Sequence, residues 1–445
     1  MNNTICALAT APGSALGIIR VSGSEALSIV SAISTASCKA FEANTVHYAR
    51  IGNLDEVLLS IFRAPHSYTG EDCVEISCHG SAYILNKVLE LLVQNGCRMA
   101  QPGEFTQRAF LNGKMNLTQA EAVADLIAST NKATHDIAMS QLRGHFSSEL
   151  HTLRSQLLKL TSLLELELDF SDHEELEFAN RDELLALART IQERIQRLAL
   201  SFETGQALKQ GIPVAIVGKT NVGKSTLLNA LLKDDRAIVS DIHGTTRDTI
   251  EDTITIRGVL FRFIDTAGIR QTADEVEQIG IARTYKAMSK ARIVLWLIDD
   301  TPTDSEVSDM KQLCEGRTLI PVWNKTDLRP VPCSMSQVSG SMVPISAKTG
   351  DGIQNLTSAI FSAANIPALT ETDVIVTNAR HYEALCRAGM NLQKVLEGLE
   401  VQLSSDLLSE HLRLVLSDLA EITGEGLITP QETLNNIFSH FCVGK

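Results

Sequence analysis

The chain has 445 residues, of which 39 are Lys or Arg and 53 are Asp or Glu, so its formal net charge is −14. A domain usually has roughly 100–200 residues, so this length predicts two to four domains. The charge excludes a simple polycation that holds nucleic acid by bulk attraction, because phosphate contacts need clustered Lys and Arg. Aromatic residues make up 4% of the chain, so platforms for base stacking are not expected.

The negative charge is unevenly distributed along the chain. Residues 1–114 carry 8 basic and 9 acidic groups, and residues 211–366 carry 17 and 18, so each segment has a net charge of −1. The remaining segments, 115–210 and 367–445, together carry 14 basic and 26 acidic groups, a net charge of −12. Nearly all of the excess therefore lies in two segments that the middle of the chain separates.

Neither a transmembrane helix nor a secretory signal is predicted. The longest strongly apolar stretch, Ile293 to Ile298, is far shorter than the ~20 residues that span a bilayer. No basic segment precedes an apolar run at the N-terminus, as a secretory signal would require. The nine cysteines are scattered and odd in number, which favours reduced thiols and a cytoplasmic location.

Short β-rich runs bounded by turn residues characterise residues 1–114. Ile18–Val21, Val57–Phe62 and Val74–Cys78 are such runs, and they predict strands of an α+β domain.

A helical segment is predicted over residues 115–210. Thr118 and Glu121 have the spacing of a capping box just ahead of an apolar-periodic run. Only two glycines and no proline occur between residues 116 and 210. We expect long antiparallel helices there, because leucines recur at helical spacing, for example at Leu153, Leu157, Leu160 and Leu164.

Strand–loop–helix alternation begins after Gly211. Six β-rich runs predict strands: Val214–Val217, Thr253–Ile256, Phe261–Ile264, Ile293–Ile298, Leu319–Trp323 and Val343–Ser346. Such alternation predicts a mostly parallel sheet with helices on both faces. After about residue 370 a helical pattern returns, at Tyr382–Glu400, Leu407–Ile422 and Thr429–Phe441.

The simplest organisation is an α/β domain, residues 211–366, inserted into a helical domain whose halves are residues 115–210 and 367–445. The two acidic, glycine-poor segments would then form one domain. The alternative is a pair of separate small helical units, which is less favourable because each half alone would be a thin bundle.

Residues 218–225, with the sequence GKTNVGKS, fit the phosphate-binding motif G-x-x-x-x-G-K-[ST]. The motif follows a predicted strand and opens a predicted helix, which is the context that it needs. Its glycines let backbone N–H groups wrap around phosphates. Lys224 adds a full charge for the β- and γ-phosphates, and the Ser225 hydroxyl is a ligand for Mg²⁺.

Three further elements follow in the order that a GTPase needs. Residues 244–248 (GTTRD) supply a Thr hydroxyl for Mg²⁺, and residues 265–268 (DTAG) end a strand close to the metal and the γ-phosphate. Residues 324–327 (NKTD) end another strand. The Asp327 carboxylate can accept two N–H bonds from guanine, which adenine does not offer. Residues 346–348 (SAK) fit the remaining base-contact loop. Together they predict a GTPase domain that resembles the translation-factor-related GTPases.

The residue after the DTAG element is Ile269, which can neither accept a proton nor orient water. Ras-like enzymes have a Gln there, so another group must act in this chain. Glu277 is a candidate general base, and the alternative is a solvated helix charge. Asn221 is a candidate ligand for a monovalent cation beside the phosphates, which would supply the charge of an arginine finger.

More specific stretches lie outside the nucleotide motifs. They are residues 17–23 (GIIRVSG), 67–72 (SYTGED), 102–114 (PGEFTQRAFLNGK), 119–127 (QAEAVADLI) and 441–445 (FCVGK). Through them the chain resembles the tRNA-modification GTPase MnmE (TrmE) family over essentially its full length. The resemblance implies a multidomain α/β and α+β protein. Its parts are an N-terminal α+β folate-binding and dimerisation domain, a helical domain, and a Ras-like P-loop α/β G domain inserted in the helical domain.

The resemblance also implies GTP hydrolysis that depends on potassium and on G-domain dimerisation. It assigns K⁺ to Asn221, Ser240, Ile242 and Thr245, Mg²⁺ to Ser225 and Thr246, and catalysis to Glu277. Motifs and resemblance together give the GTP-binding set: Asn221, Val222, Gly223, Lys224, Ser225, Thr226, Ser240, Asp241, Ile242, His243, Gly244, Thr245, Thr246, Asp265, Thr266, Ala267, Gly268, Asn324, Lys325, Asp327, Ser346, Ala347 and Lys348.

By the same resemblance, a site for 5-formyl- or 5,10-methylene-tetrahydrofolate carries over to Arg20, Glu75, Lys114 and Lys445. A carboxylate such as Glu75 can accept the paired N–H donors of a pterin, and cationic side chains suit the glutamate tail of the ligand. Cys442 has two interpretations, a nucleophile or a small structural thiol.

The resemblance implies a homodimer that forms a heterotetramer with the FAD-containing protein MnmG (GidA) and meets tRNA through this complex, with no membrane partner. The two proteins would add a carboxymethylaminomethyl or aminomethyl group at C5 of the wobble uridine of certain tRNAs, using a tetrahydrofolate one-carbon unit. No G-x-G-x-x-G follows a strand in this chain, so the flavin must reside on a partner.

Two other classes of GTPase share features with the chain. A ribosome-assembly GTPase has an Asn-containing P-loop but needs a basic RNA-binding appendage, and none of the three segments has a net positive charge. A dynamin-like membrane GTPase uses cation-assisted dimer chemistry but needs a basic amphipathic or apolar membrane element, and none is evident. The tRNA-modification interpretation is therefore favoured.

Overall fold

The structure is a computed structural model. It describes residues 4–169, 181–234, 252–264, 288–331, 342–366, 374–424, 437–438, 441 and 444. Two compact units divide the chain. Unit 1 comprises Met1–Ala128, Ala138–Gln196 and Glu383–Lys445, and unit 2 comprises Ser129–Ile137 and Arg197–Tyr382. The central segment thus forms its own unit, between two flanking stretches that belong together. The domain boundaries at residues 114, 210 and 366 stay predictions.

A mixed six-stranded sheet organises the first part of unit 1. Its spatial order is β3-β4-β5-β2-β1-β6, and only β1 and β6 run parallel. The strands are β1 (Ile5–Leu8), β2 (Leu16–Ser22), β3 (Thr45–Ile51), β4 (Asp55–Phe62), β5 (Cys73–His79) and β6 (Arg98–Met99). The three strands predicted in this part of the chain are confirmed as β2, β4 and β5.

Twelve helices of eight residues or more occur within the described residues. In chain order they are α1 (Ala26–Ile33), α2 (Ala82–Gln94), α3 (Glu104–Leu111), α4 (Leu117–Ala128), α5 (Lys132–Leu142), α6 (His145–Asp169), α7 (Arg181–Gln210), α8 (Lys224–Asp234), α9 (Asp304–Leu313), α10 (Ile353–Ala363), α11 (Ala379–Glu400) and α12 (Ser405–Thr423). The predicted helices at 382–400 and 407–422 are confirmed as α11 and α12. Most of the third, at 429–441, lies outside the described residues.

Alternation along the strands separates the core of the first sheet from its other face. Ile19, Leu59 and Ile76 are fully buried together with Leu85 and Val88 of α2. Neighbouring positions on a strand face the opposite side of the sheet. Arg20 and Glu75 occupy such positions on β2 and β5, directly opposite each other in the strand register. The sheet therefore pairs two charged residues that are 55 positions apart in the chain.

The leucine stripe predicted from helical spacing is confirmed in α6. Leu153, Leu157, Leu160 and Leu164 are all fully buried. Within unit 1, α6 packs against α12, so helices from both sides of the central segment share one core.

The start of α4 differs from the predicted capping box at Thr118 and Glu121. The Asn116 Oδ1 accepts hydrogen bonds from the Gln119 N–H (2.9 Å) and the Thr118 hydroxyl (2.7 Å). The Gln119 Oε1 in turn accepts a hydrogen bond from the Asn116 N–H (3.1 Å). Asn116 and Gln119 therefore form the capping box, two residues earlier than predicted, because an Asn side chain is a strong acceptor at this position.

Unit 2 contains the mostly parallel sheet that the alternation predicts. Its spatial order is β12-β11-β10-β7-β9-β8, and only β8 and β9 run antiparallel. The strands are β7 (Ile212–Gly218), β8 (Asp252–Ile256), β9 (Val259–Phe263), β10 (Ile293–Ile298), β11 (Thr318–Trp323) and β12 (Val343–Pro344). All six residues of β10 are buried, as expected for a parallel strand covered on both faces.

The core on one face of this sheet draws on residues from distant parts of the chain. Leu295 of β10 and Leu227 of α8 are buried there with Ile137, Leu208 and Ile375. The last three lie outside residues 211–366. A backbone hydrogen bond from the N–H of Ala133 in α5 to the carbonyl of Gly258 in the β8–β9 turn (3.1 Å) ties residues 129–137 to the sheet.

Within the described part of the chain, no helix is both long and apolar enough to cross a membrane.

Candidate functional site

The phosphate-binding motif joins β7 to α8, as predicted. Gly218 ends β7, and a Cβ there would lie 2.6 Å from the carbonyl oxygen of Leu297 in β10. Gly223 has a φ of +102°, and a Cβ there would collide with the Asn324 Nδ2. Both close approaches require glycine. The loop therefore packs tightly on the sheet, and the N-terminus of α8 follows it immediately.

Lys224 directs its charge back into the loop. Its Nζ donates hydrogen bonds to the carbonyls of Gly218 (2.7 Å) and Lys219 (2.9 Å). Burial lowers the pKa of this ammonium group below the usual range of a lysine. Ser225 and Thr226 lie exposed in the first turn of α8. A charge inside a loop at a helix N-terminus is a suitable partner for phosphate groups.

Asn324 links the phosphate loop to the loop after β12. This side chain is 2% exposed. Its Nδ2 donates a hydrogen bond to the Val222 carbonyl (2.8 Å), and its Oδ1 accepts one from the Ala347 N–H (3.0 Å). Both of its polar groups are therefore satisfied by backbone of the two loops. The NKTD, SAK and phosphate-binding motifs meet at this residue.

Asp327 and Ser346 are also brought together. The buried Ser346 hydroxyl donates a hydrogen bond to the Asp327 Oδ1 (2.7 Å), which fixes the orientation of the carboxylate. A cavity of about 790 Å³ is lined by the start of α8 and the SAK loop, including Ser225, Thr226 and Lys348. That volume is within the range of small-molecule sites.

Lys325 connects the NKTD loop to the phosphate-binding loop. Its Nζ donates hydrogen bonds to the Asn221 carbonyl (2.8 Å) and to the Asp299 Oδ2 (2.7 Å). Asn221 and Lys325 both have left-handed backbone conformations, with φ of +61° and +64°. Asp299 is a residue that the sequence motifs missed. The available signal was its position directly after the apolar run Ile293–Ile298.

The other predicted nucleotide and metal residues lie outside the described residues: Ser240, Asp241, Ile242, His243, Gly244, Thr245, Thr246, Asp265, Thr266, Ala267, Gly268 and Glu277. Their roles stay predictions. β8 begins after the first group, and β9 ends just before the second.

Two of the four predicted folate residues, Arg20 and Glu75, form a partly buried ion pair on the first sheet, on the face opposite the core of Ile19, Leu59 and Ile76. The Arg20 Nε and Nη2 donate to the same carboxylate oxygen of Glu75, Oε1, at 2.9 and 2.7 Å. Among the described residues, no hydrogen bond ends on the other oxygen, Oε2. The Arg20 guanidinium also lies 5.5 Å from the ring centre of Tyr68 and 5.6 Å from that of Phe105. The sequence motifs did not single out these two aromatic residues, although both lie in the family-specific signature stretches, residues 67–72 and 102–114.

The C-terminal segment also approaches Arg20. The Arg20 Nη1 donates a hydrogen bond to the Gly444 carbonyl (3.2 Å). A Cβ on Gly444, which has a φ of +96°, would collide with the Leu8 carbonyl. Lys445 and Cys442 lie outside the described residues.

Lys114 is exposed, and its Nζ donates a hydrogen bond to the Pro65 carbonyl (2.9 Å). No hydrogen bond within the described residues joins it to Arg20 or Glu75. Arg20 and Glu75 of the predicted site are therefore in direct contact, whereas Lys114 contacts the loop that contains Pro65.

The signature stretches 67–72 and 102–114 pack against each other beside Arg20. The hydroxyls of Tyr68 and Thr106 are hydrogen-bonded at 2.8 Å. Arg108 forms an ion pair with Glu71 at 3.0 Å. These contacts anchor the loop that carries Tyr68 to α3.

Glu104, the first residue of α3, is 7% exposed and is held by several donors. It forms ion pairs with Arg98 and with Arg108, and it accepts a hydrogen bond from the Gln101 N–H (2.9 Å). Burial alone would raise the pKa of this carboxyl group, but the hydrogen bonds from Arg98, Gln101 and Arg108 outweigh it. The pKa is therefore lowered.

Gly103, just before α3, packs against the C-terminal segment. It has a φ of +67°, and a Cβ there would lie 2.7 Å from the Phe438 carbonyl and 2.9 Å from the Phe441 Cβ. Both phenylalanines are buried against Leu117 and Ala120 of α4. The residues near the C-terminus are thus anchored to α3 and α4.

Comparison with known proteins identifies relatives of the whole chain. The family model of the MnmE helical domain matches residues 117–442. The family model of the N-terminus of the GTP-binding protein TrmE matches residues 4–114. The protein named tRNA modification GTPase MnmE of Phocaeicola vulgatus is 52% identical, over 100% of this chain and 99% of its own length.

Proteins of the same name give similar values in other organisms. The one from Bacteroides fragilis is 53% identical and the one from Flavobacterium johnsoniae 47%, each over 100% of this chain and 99% of its own length. The resemblance expected from the signature stretches is confirmed. The chain therefore belongs to the MnmE family of tRNA modification GTPases.

Proposed function

We propose that this chain hydrolyses GTP and, with the FAD-containing protein MnmG, adds a carboxymethylaminomethyl or aminomethyl group at C5 of the wobble uridine of certain tRNAs. Its action takes place in the cytoplasm, in a heterotetramer built on a homodimer of this chain. Family membership supports the tRNA part of the proposal. The nucleotide part is carried by one observation, the buried Asn324 side chain that joins the phosphate loop to the base-contact loops.

The chain's own groups account for nucleotide binding. The Lys224 ammonium exchanges its two loop carbonyls for phosphate oxygens, while the α8 N-terminus directs N–H groups at the same charge. Asp327, held by Ser346, accepts the N–H groups of guanine.

For hydrolysis we assign Mg²⁺ to Ser225 and Thr246, and proton abstraction from the attacking water to Glu277. The hydroxyl oxygens of Ser225 and Thr246 are ligands of the type that Mg²⁺ prefers. We assign K⁺ to Asn221, Ser240, Ile242 and Thr245. A monovalent cation there supplies positive charge beside the phosphates, and dimerisation of the G domains completes the site.

We assign the one-carbon donor, 5-formyl- or 5,10-methylene-tetrahydrofolate, to Arg20, Glu75, Lys114 and Lys445. The ion pair leaves the Glu75 Oε2 available for a pterin N–H, while Arg20 holds the other oxygen. Side-chain exposures of 18% for Arg20 and 24% for Glu75 keep the pair partly shielded from water. Charge-assisted hydrogen bonds are strong in such surroundings.

Binding of 5-formyl-tetrahydrofolate, measured by calorimetry, tests this assignment. We expect Glu75→Gln to weaken binding by about tenfold or more, since it removes a charged acceptor. Glu56→Gln is the matched control, because Glu56 is an exposed carboxylate on the neighbouring strand, paired with Arg50. Binding that is unchanged in both Glu75→Gln and Arg20→Ala would remove these two residues from the site.

The function as a whole is tested by mass spectrometry of wobble uridines in cells that lack the gene for this chain. We expect the C5-modified nucleosides to be lost, and to return when the wild-type chain is supplied but not when Lys224→Ala is supplied. Unchanged nucleosides in the deletion strain would contradict the tRNA proposal even if the purified chain hydrolysed GTP.

A further inference from the structure

The Asn221 backbone has a conformation that needs support. Its φ of +61° is left-handed, which is unfavourable for a residue with a Cβ, although Asn tolerates it better than most. Strained conformations persist where surrounding contacts fix them, and they concentrate at functional sites. The Asn221 carbonyl has such a contact, because it accepts a hydrogen bond from the Lys325 Nζ at 2.8 Å.

A carboxylate outside the known motifs fixes Lys325 in turn. The Asp299 Oδ2 accepts a hydrogen bond from the same Nζ at 2.7 Å. The side chains are 35% exposed for Lys325 and 27% for Asp299, so solvent screens this pair less than an open surface pair. A lysine side chain has four rotatable bonds, and a second anchor of opposite charge restricts the position of its ammonium group.

Asp299 itself has a fixed position. It directly follows β10, which lies in the middle of the unit 2 sheet. All six residues of β10 are buried. The chain of contacts therefore runs from a rigid strand through Asp299 and Lys325 to the Asn221 carbonyl. The second P-loop lysine, Lys219, pairs instead with Glu306 at 2.6 Å and is 71% exposed, so it does not supply an equivalent anchor.

We propose that Asp299 is a positioning residue for potassium: through Lys325 it holds the Asn221 backbone in the conformation from which its side chain binds the cation. This inference rests on the proposed potassium-dependent hydrolysis. Asp299 does not touch nucleotide or cation in this assignment, and its effect is on how readily the potassium site forms.

The test measures GTP hydrolysis by the full chain over a series of potassium concentrations, with sodium replacing potassium at constant ionic strength. In Asp299→Ala we expect the half-activating potassium concentration to rise about tenfold, as for loss of one charge-assisted hydrogen bond. At saturating potassium, kcat returns close to the wild-type value. Asp299→Asn keeps an acceptor oxygen, and its half-activating concentration lies between those of the wild type and Asp299→Ala.

Asp300→Ala is the matched control. Asp300 is the exposed neighbour of Asp299, and its Oδ1 accepts a hydrogen bond from the Thr301 N–H rather than from Lys325. We expect its half-activating potassium concentration to equal that of the wild type. A purely structural role for Asp299 would lower the rate at every potassium concentration and leave the half-activating concentration unshifted.

The outcomes separate the two proposals. An unshifted half-activating concentration in Asp299→Ala, or in Asp299→Asn if the alanine variant does not fold, overturns the role of Asp299 alone. Equal wild-type rates in sodium and potassium overturn the potassium dependence and the role of Asp299 with it.

Discussion

Two side chains of the NKTD element, Asn324 and Asp327, make different kinds of contact. Asn324 is buried and uses both of its polar groups to join loops. Asp327 uses one oxygen to accept a hydrogen bond from Ser346, which orients its carboxylate. We therefore expect Asp327, rather than Asn324, to read the edge of a guanine base through its carboxylate.

Asp327→Asn tests this division of tasks. The amide would place an N–H donor opposite the donors of guanine, so we expect the affinity for GTP to fall about 100-fold. Xanthosine triphosphate has a carbonyl where guanine has its amino group, so its relative affinity should rise. Nucleotide titration by fluorescence measures both affinities. Asp351→Asn, at a carboxylate that lines the cavity beside the SAK loop, should change neither affinity. An unchanged GTP affinity in Asp327→Asn would refute the assignment.

We expect the charge of Glu104 to make the stability of the fold depend on pH. Because the folded state lowers the pKa of this carboxyl group below its ordinary value of 4.5, ionised Glu104 stabilises the fold. The stabilisation is complete above that value and is lost as the pH falls below it. Glu104→Gln should therefore lower the free energy of unfolding by on the order of 3 kcal/mol at neutral pH.

Thermal unfolding of the wild type and Glu104→Gln at decreasing pH measures this difference. The gap between the two melting temperatures should narrow once the pH is below 4.5. Glu90→Gln is the control, because Glu90 forms an exposed ion pair with Lys87, and such pairs contribute little. A gap that stayed constant over the whole pH range would show that the charge of Glu104 is not what stabilises the fold.

At the scale of elements, α3 anchors the chain near its C-terminus through Gly103. Gly103→Ala would place a methyl group against the Phe438 carbonyl and the Phe441 side chain. We expect it to destabilise unit 1 by about 2 kcal/mol or more, since both the left-handed conformation and the contact are unfavourable. Because the same segment reaches Arg20 through Gly444, folate binding should weaken as well.

Gly52→Ala provides the comparison for this substitution. Gly52 also has a positive φ, +51°, but within the described part of the chain only its own sequence neighbours lie within 4 Å of the position of its Cβ. Gly52→Ala should therefore lower the free energy of unfolding only through the unfavourable backbone conformation, by on the order of 1 kcal/mol. Calorimetry of both variants measures the difference, and equal destabilisation would argue against a special contact at Gly103.

Helices and strands that follow from the local sequence pattern could be predicted. Contacts between residues that are distant in the chain could not. The run Ile293–Ile298 is apolar throughout and was recognisable as a buried strand. The capping box was misplaced because Asn116 and Thr118 are both good acceptors, and only the backbone geometry distinguishes them.

Long-range contacts explain what the sequence left open at the sites. The motifs identified Lys325, but its pairing with Asp299 depends on how β10 and β11 lie beside each other. The partnership of Arg20 and Glu75 follows from the register of β2 and β5. Without the family resemblance, Arg20 and Glu75 would each be interpreted as an ordinary surface charge.

At the scale of the whole molecule, the net charge of −14 is concentrated in two segments. Residues 1–114 and 211–366 carry −1 each, and the rest carries −12. None of these parts offers a long cationic tract for RNA phosphates.

We therefore expect the chain alone to bind tRNA weakly, with MnmG supplying most of the phosphate contacts in the complex. Fluorescence anisotropy of labelled tRNA at several salt concentrations, with and without MnmG, measures this. A steep dependence of affinity on salt is expected only when MnmG is present. Tight, salt-sensitive binding by the chain alone would contradict this division.

The core of unit 2 has a practical consequence for dissecting the molecule. Ile137, Leu208 and Ile375 are buried in that core, and the Ala133 N–H is bonded to the Gly258 turn. An excised fragment of residues 211–366 would lose all four and expose apolar surface where they pack. We expect such a fragment to be less stable than the intact unit 2. Cation and nucleotide titrations should therefore use the intact chain.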